Sequence, residues 1–150
     1  MWDKLRKQIE VEREQLNRLI DEHRSILDKC VSQKPDTIEL SALAYLLHSF
    51  YLGIENMLKR IAVEIDGGLP TGDAWHRQLI DGMAKPTERR PAVLSQDLYE
   101  TLSEYLAFRH VFRSSYSFHL EWEKMSGLVL NCESTMRRLE GELQVFLESA

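Results

Sequence analysis

Apolar residues recur at helical spacing along most of this chain, and no run alternates for long enough to make a strand. From Trp2 to Cys30 the stripe is Trp2, Leu5, Ile9, Leu16, Leu19, Ile26 and Cys30. His23 and Glu12 share its side, and Glu10, Arg13 and Glu14 line the wet sides. The polar members make this a bundle face rather than a clean coiled-coil seam. The helix has to stop before Pro35, which disfavours helical geometry at Lys34. A second long helix is predicted from about Thr37 to Asp66. Leu43, Leu47, Phe50, Ile54, Leu58, Ile61 and Ile65 follow at steps of three and four, and Leu40, Ala44, Leu46 and Tyr51 widen the face. So broad an apolar face belongs to the central, most buried helix. Gly67-Gly68 ends it, and Pro70 and Gly72 keep the next loop open.

Asp73 is placed to cap a short helix through Trp75, Leu79, Ile80 and Met83. The segment from Lys85 to Pro91 holds two prolines and three cations and reads as an exposed loop. Ser95 caps a fourth helix carrying Leu98, Leu102, Tyr105, Phe108 and Phe112. A break is expected around Ser114 to Leu120, before a last helix with Leu128, Cys132, Leu139, Leu143 and Leu147. Four long helices with short connections predict an all-α four-helix bundle with an additional short helix. The 150 residues show no internal repeat and suffice for one well-buried domain, 1–150.

Composition narrows the partners more than the fold. The hydrophobic share of 43% and charged share of 29% exclude wholesale disorder. A formal net charge of -5 means that any contact with RNA has to come from a local cationic patch. Cys30 and Cys132 are too few and too distant for a disulfide scaffold or a metal knuckle, and read as buried reduced thiols. Met1 leads into Trp2-Asp3-Lys4-Leu5-Arg6, which is charged and amphipathic rather than a signal peptide. The apolar run Leu40 to Leu47 ends at His48 and is too short to cross a bilayer, so a cytoplasmic protein with no membrane partner is expected.

No Walker loop, HExxH or GxSxG is present. The glycine-rich stretch Asp66 to Asp73 follows a helix and contains acids, so it reads as a linker rather than a phosphate cradle. His23, His48, His76, His110 and His119 lack i, i+4 pairing, and neither a metal site nor a cofactor is expected. Lys85, Arg89 and Arg90 belong to a solvated loop or extend an RNA-binding surface; Lys59 and Arg60 are surface charges; Trp75 and Trp122 are packing anchors.

One placement is anomalous. Counting from Leu98, the stripe of the fourth helix runs Leu102, Tyr105, Arg109, Phe112 and Tyr116. Arg109 thus falls on an apolar face, where an unpaired guanidinium is costly. Arg113 lies one turn beyond it, so two arginines and a phenol share that face. Two readings stay open: a salt bridge from Arg109 to an acid on the second helix, Glu55 foremost, or a phosphate site built from two fixed cations and a hydroxyl.

The run Phe108-Arg109-His110-Val111-Phe112-Arg113-Ser114-Ser115-Tyr116 resembles the Arg-x4-His-x-Tyr motif of the HepT-like ribonuclease toxins in the HEPN superfamily. Leu47-His48-Ser49-Phe50-Tyr51-Leu52-Gly53-Ile54-Glu55 is similar to that family's second helix. Asp66 to Met83, with Trp75-His76, is similar to the loop and short helix of one bacterial subgroup. The likeness extends over nearly the whole chain. It implies a helical homodimer whose motifs meet in one cleft, and metal-independent cleavage of RNA. By position Arg109 would hold phosphate, with Arg113 beside it, Glu55 as the polar support on the second helix, and Tyr116 as the motif tyrosine. The resemblance further implies a nucleotidyltransferase-type antitoxin, which in some pairs modifies the tyrosine with AMP; Tyr116 would be the acceptor, or else a core or interface tyrosine.

The motif histidine falls on Ser114, whose hydroxyl cannot serve as a general base near neutral pH. Either cleavage is weakened or lost and a non-catalytic module binding nucleotide, RNA or partner remains, or another histidine substitutes. His110, four residues before Ser114 on one helical face, and His119, three beyond Tyr116, are the candidates.

Overall fold

Asp36 starts the helix on which the rest of the protein is assembled. Its carboxylate accepts from the Glu39 backbone N–H at 2.8 Å, and the Glu39 side chain accepts from the Asp36 N–H at 3.0 Å, a reciprocal capping box. In the computed structural model, which describes residues 2–114, 116 and 119–150 and only the backbone of Ser114, regular structure is helical apart from one isolated bridge, Thr87 to Arg90. The order is α1 (Asp3–Glu22), α2 (Arg24–Lys29), α3 (Thr37–Ile61), a π-helical turn (Ala62–Asp66), α4 (Trp75–Met83), α5 (Gln96–Ser114), α6 (Trp122–Leu130) and α7 (Cys132–Glu148). This is the all-α bundle that the periodicity predicts, and it is consistent with the HEPN-like fold that the resemblance implies.

α3 is the central element, with twelve of its 25 residues buried. With its π-turn it is long and apolar enough to cross a membrane, but much of that apolar surface is used by the core. α1 crosses it so closely that a Cβ at Gly53 would stand 2.8 Å from Leu16 Cγ. α5 covers another side through Leu98, Leu102 and Tyr105, and α7 closes the bundle with Cys132, Met136, Leu139, Leu143 and Phe146. Trp2 stacks on Phe146 with ring centroids 5.0 Å apart, tying the two ends of the chain together.

Two predicted long helices are each divided in two. His23 separates α1 from α2, its Nδ1 bonded to the Leu19 carbonyl at 2.8 Å; Asn131 separates α6 from α7, its Nδ2 donating to the Gly127 carbonyl at 2.8 Å. In both, a polar side chain engages the carbonyl four residues back and competes with the backbone donor for that acceptor. The Asp73 cap is also corrected: α4 follows Ala74 with no side-chain cap. Ser95 does cap α5, accepting from the Leu98 N–H at 3.1 Å. The expected break after Ser114 includes Ser115, Ser117 and Phe118, which lie outside the described residues.

The loop before α5 is exposed as its composition predicts, except at Arg90. The Arg90 side chain is 1% exposed and uses all five of its N–H groups. Two go to the Asp66 carboxylate at 2.7 Å each, and the others to the carbonyls of Lys85, Pro91 and Gly82. Arg89 donates to the Ile65 carbonyl at 3.2 Å. The π-turn ends at Gly67, where φ is 89°, and its last residue is the Asp66 that Arg90 clamps. Two of the three loop cations therefore fasten the loop to the end of the central helix.

Candidate functional site

Toward its C-terminal end the face of α5 against α3 turns from aliphatic to cationic. Leu98, Leu102 and Tyr105 are buried, Arg109 is half-buried, and Arg113 is exposed one turn further on. Arg109 has no ion pair among the described residues, and its Nε is buried without a hydrogen-bond partner. The salt bridge to Glu55 is not made. Glu55, 1% exposed, instead accepts from His76 Nδ1 at 2.7 Å. The reason is the docking of α4 on α3. Trp75 packs on His76 with ring centroids 3.7 Å apart, Lys59 Nζ lies 5.0 Å from the centre of the Trp75 ring, and Arg77 donates to Ser103 on α5 at 2.9 Å. Lys59 and Trp75 are thus parts of the α4 seam, and the acid expected to neutralise Arg109 is already engaged by a histidine.

His48 is the residue that pattern reading passed over. It stands two helical turns before Glu55, so both lie along one line of α3. Its ring is half-buried against Phe112 of α5, centroids 5.0 Å apart, and its Nδ1 is buried without a partner. Burial, then the positive charges of Arg109 and Arg113, hold its pKa below the usual histidine value, with Glu55 pulling weakly the other way. His48 is therefore neutral at neutral pH. Three buried side-chain atoms of the described residues lack a hydrogen-bond partner: Gln8 Oε1, His48 Nδ1 and Arg109 Nε. Two of the three belong to the seam between α3 and α5, where unsatisfied buried groups call for an explanation. The Tyr51 hydroxyl on the same helix is pushed up by burial and by Glu55, against the opposing pull of Arg77 and Arg109. The spacing of seven between His48 and Glu55 was the available signal. It was masked because His48 follows the apolar run Leu40 to Leu47 and looks like its end.

The remaining candidates are dispersed. His110 is exposed. Ser114 closes α5, and its side chain lies outside what is described. Tyr116 is beyond the helix end, so it does not continue the stripe of Arg109; it is 71% exposed, its ring edge-on to His119 at 6.1 Å. A separate groove of about 710 Å³ runs between α5, α6 and α7, with Tyr105, Phe108, Met125 and Leu128 in its wall and His119 at its rim. Neither His48 nor Arg109 reaches it. Both cysteines are buried thiols; burial pushes Cys132 up to about 12 and raises Cys30 as well. Among the described residues no three His, Cys, Asp or Glu side chains converge to hold a metal ion. What the α3–α5 seam offers chemically is a half-buried cation with an unused donor, a second, exposed cation and a neutral imidazole.

A family model described as HepT-like protein matches residues 42–150. The match starts near the beginning of α3, so α1 and α2 precede it, although α1 contributes Leu5, Ile9, Leu16 and Ile20 to the same core. No curated protein and no solved structure shows significant similarity to the chain. The matched span contains the His48–Glu55 line of α3, Trp75-His76 of α4 and the run from Arg109 to Tyr116, and the chain belongs to the HepT-like family of the HEPN superfamily.

Proposed function

We propose that this protein is the toxin-type component of a HepT-like toxin–antitoxin pair, and that it acts on RNA through the groove between α3 and α5 as a metal-independent endoribonuclease. The observation that carries the reading is Arg109, a half-buried guanidinium with no carboxylate partner among the described residues and an unused Nε donor. A phosphodiester supplies what that group lacks, acceptor oxygens and negative charge, and Arg113 one turn away supplies a second cation. On a chain of net charge -5, an arginine pair facing a neutral histidine is a localised anion site rather than part of a general polyanion surface.

The reading includes a homodimer. Ile38, Tyr45 and Leu52 are exposed on α3 at 82%, 57% and 41%, and recur every seven residues, which makes one continuous apolar stripe. That stripe lies roughly 60° around the helix from the His48–Glu55 line. A second copy seated on it would flank the groove and add a wall to it. A nucleotidyltransferase-type antitoxin completes the proposed system in the cytoplasm. Tyr116, at 71% exposure, is accessible to such an enzyme as an AMP acceptor, and intact-mass spectrometry of the co-expressed pair tests this: an unmodified Tyr116 removes that part of the proposal.

One observation favours a second reading, a non-catalytic module binding RNA, nucleotide or partner: Ser114 stands where the motif has histidine. The test is cleavage of single-stranded RNA by the purified protein in chelator, beside Arg109→Ala and Ser114→His. Cleavage by the parent, its loss in Arg109→Ala and its increase in Ser114→His are expected. If none of the three cleaves, the binding module replaces the ribonuclease.

A further inference from the structure

We infer that His48 supplies the general base that Ser114 cannot, an inference that rests on the RNA-directed reading of the α3–α5 groove. Ser114 removes imidazole from the position the motif assigns to it, yet the groove is not without one. His48 comes from α3 rather than α5 and packs against Phe112, one turn beyond Arg109 on α5. An imidazole there lies within electrostatic reach of the two cations that would hold a phosphodiester, the relation a base and a phosphate clamp need for attack by the neighbouring ribose hydroxyl.

The protonation state fits the role. Arg109 and Arg113 face His48 from α5. Glu55 faces it from α3, and that carboxylate is already taken up by His76 of α4. Two cations against one engaged acid, together with burial, favour the unprotonated ring. A base has to be neutral before it reacts, so the arrangement that makes a histidine a poor cation makes it a ready acceptor. RNA carries a 2′-hydroxyl next to each phosphate and DNA does not, so an imidazole set near a guanidinium pair is matched to RNA.

The chemistry balances without a further reagent. His48 takes the proton of the 2′-hydroxyl through Nε2, since Nδ1 is the buried nitrogen. The 2′-oxygen forms a bond to phosphorus, the bond from phosphorus to the 5′-oxygen breaks, and that oxygen takes a proton from water. Arg109 and Arg113 bear the charge on the non-bridging oxygens. The products are a 2′,3′-cyclic phosphate and a 5′-hydroxyl end, and the imidazolium returns its proton to solvent.

The experiment compares the parent with His48→Gln, which keeps a similar volume against Phe112, and His48→Gly. RNA binding is followed by fluorescence anisotropy, and cleavage by release of a cyclic-phosphate end in chelator. Both variants are expected to bind RNA within about threefold of the parent and to cleave about 10²- to 10⁴-fold more slowly, the usual contribution of a positioned base. Free imidazole should restore cleavage to His48→Gly, a rescue that a purely structural histidine would not show. The parental rate should fall on acidification only below pH ~6.5, because the unperturbed histidine pKa is about that value and this one is held under it. Parental cleavage by His48→Gln overturns the assignment. So does a parent that binds RNA through Arg109 but leaves it intact, and that result keeps the RNA-binding reading. Loss of RNA binding in Arg109→Ala with cleavage persisting through His48 would instead overturn the clamp.

Discussion

Replacing Arg109 by alanine should weaken RNA binding tenfold or more and leave the fold almost as stable as before. Two terms oppose one another. Removing the side chain relieves a buried donor that has no partner, and an unsatisfied group of this kind costs about 1–3 kcal/mol. The arginine stem lies half-buried on the face of α5, and losing its methylenes gives back about 0.8 kcal/mol for each that is fully covered, so about 1–2 kcal/mol in all. The net change is within about 1 kcal/mol of zero by these figures. Arg90 is the internal control. It fills all five of its donors and is 1% exposed, and Arg90→Ala would leave the Asp66 carboxylate and three carbonyls stranded at the end of α3. Breaking a buried pair on one side costs about 3–5 kcal/mol. Thermal unfolding followed by circular dichroism resolves the two, since Arg90→Ala should lower the melting temperature by about 10 °C and Arg109→Ala by no more than about 3 °C. Loss of about 3 kcal/mol or more in Arg109→Ala, comparable to breaking a buried pair, would refute the reasoning. It would mean that Arg109 is a structural residue with a partner outside the described set.

Two further outcomes follow from the packing and the titration. Gly53→Ala gains helix propensity of about 1 kcal/mol but pushes against Leu16 at the tightest crossing of α1 and α3, where overpacking costs about 1–3 kcal/mol. A net loss of about 1 kcal/mol is expected, and Leu16→Ala should cost less in the Gly53→Ala background than alone, which a double-mutant cycle in urea measures. The depressed pKa of His48 links stability to pH in a definite direction. The unfolded chain binds the proton more readily than the folded one, so stability is complete above pH ~6.5 and falls as the pH drops from there through the lower folded value. In His48→Gln that portion of the decline should vanish, as read from unfolding midpoints between pH 7.5 and 5; an unchanged pH slope would place the histidine in an ordinary environment.

Helix periodicity was enough to recover the architecture, because α3, α5 and α7 bury regular stripes and the bundle needs nothing subtler. It failed where one side chain redirects the backbone. His23 and Asn131 interrupt stripes that continue across them, and their bonds to the carbonyls four residues back leave no mark in an apolar pattern. The site was legible by halves. Arg109 stood out because a charge on an apolar stripe violates the pattern, and Glu55 was the obvious partner on the facing helix. Spacing could not reveal that α4 would bring His76 onto Glu55 first, since that contact spans the loop between α3 and α4. Arg90 was misread for the converse reason: cations among prolines resemble a wet loop until the π-turn delivers Asp66 to them. His48 was overlooked because a half-buried histidine at the edge of an apolar run looks like the end of that run.

The central claim is that the α3–α5 groove holds a phosphodiester through Arg109. Its most direct test is the affinity of the parent and of Arg109→Ala for a labelled single-stranded RNA at two salt concentrations, with folding checked in the same samples. The account predicts binding that weakens with salt, and a loss of tenfold or more in a fully folded Arg109→Ala, as removal of a charge-assisted phosphate contact requires. Equal affinity of the two folded proteins for RNA would contradict it.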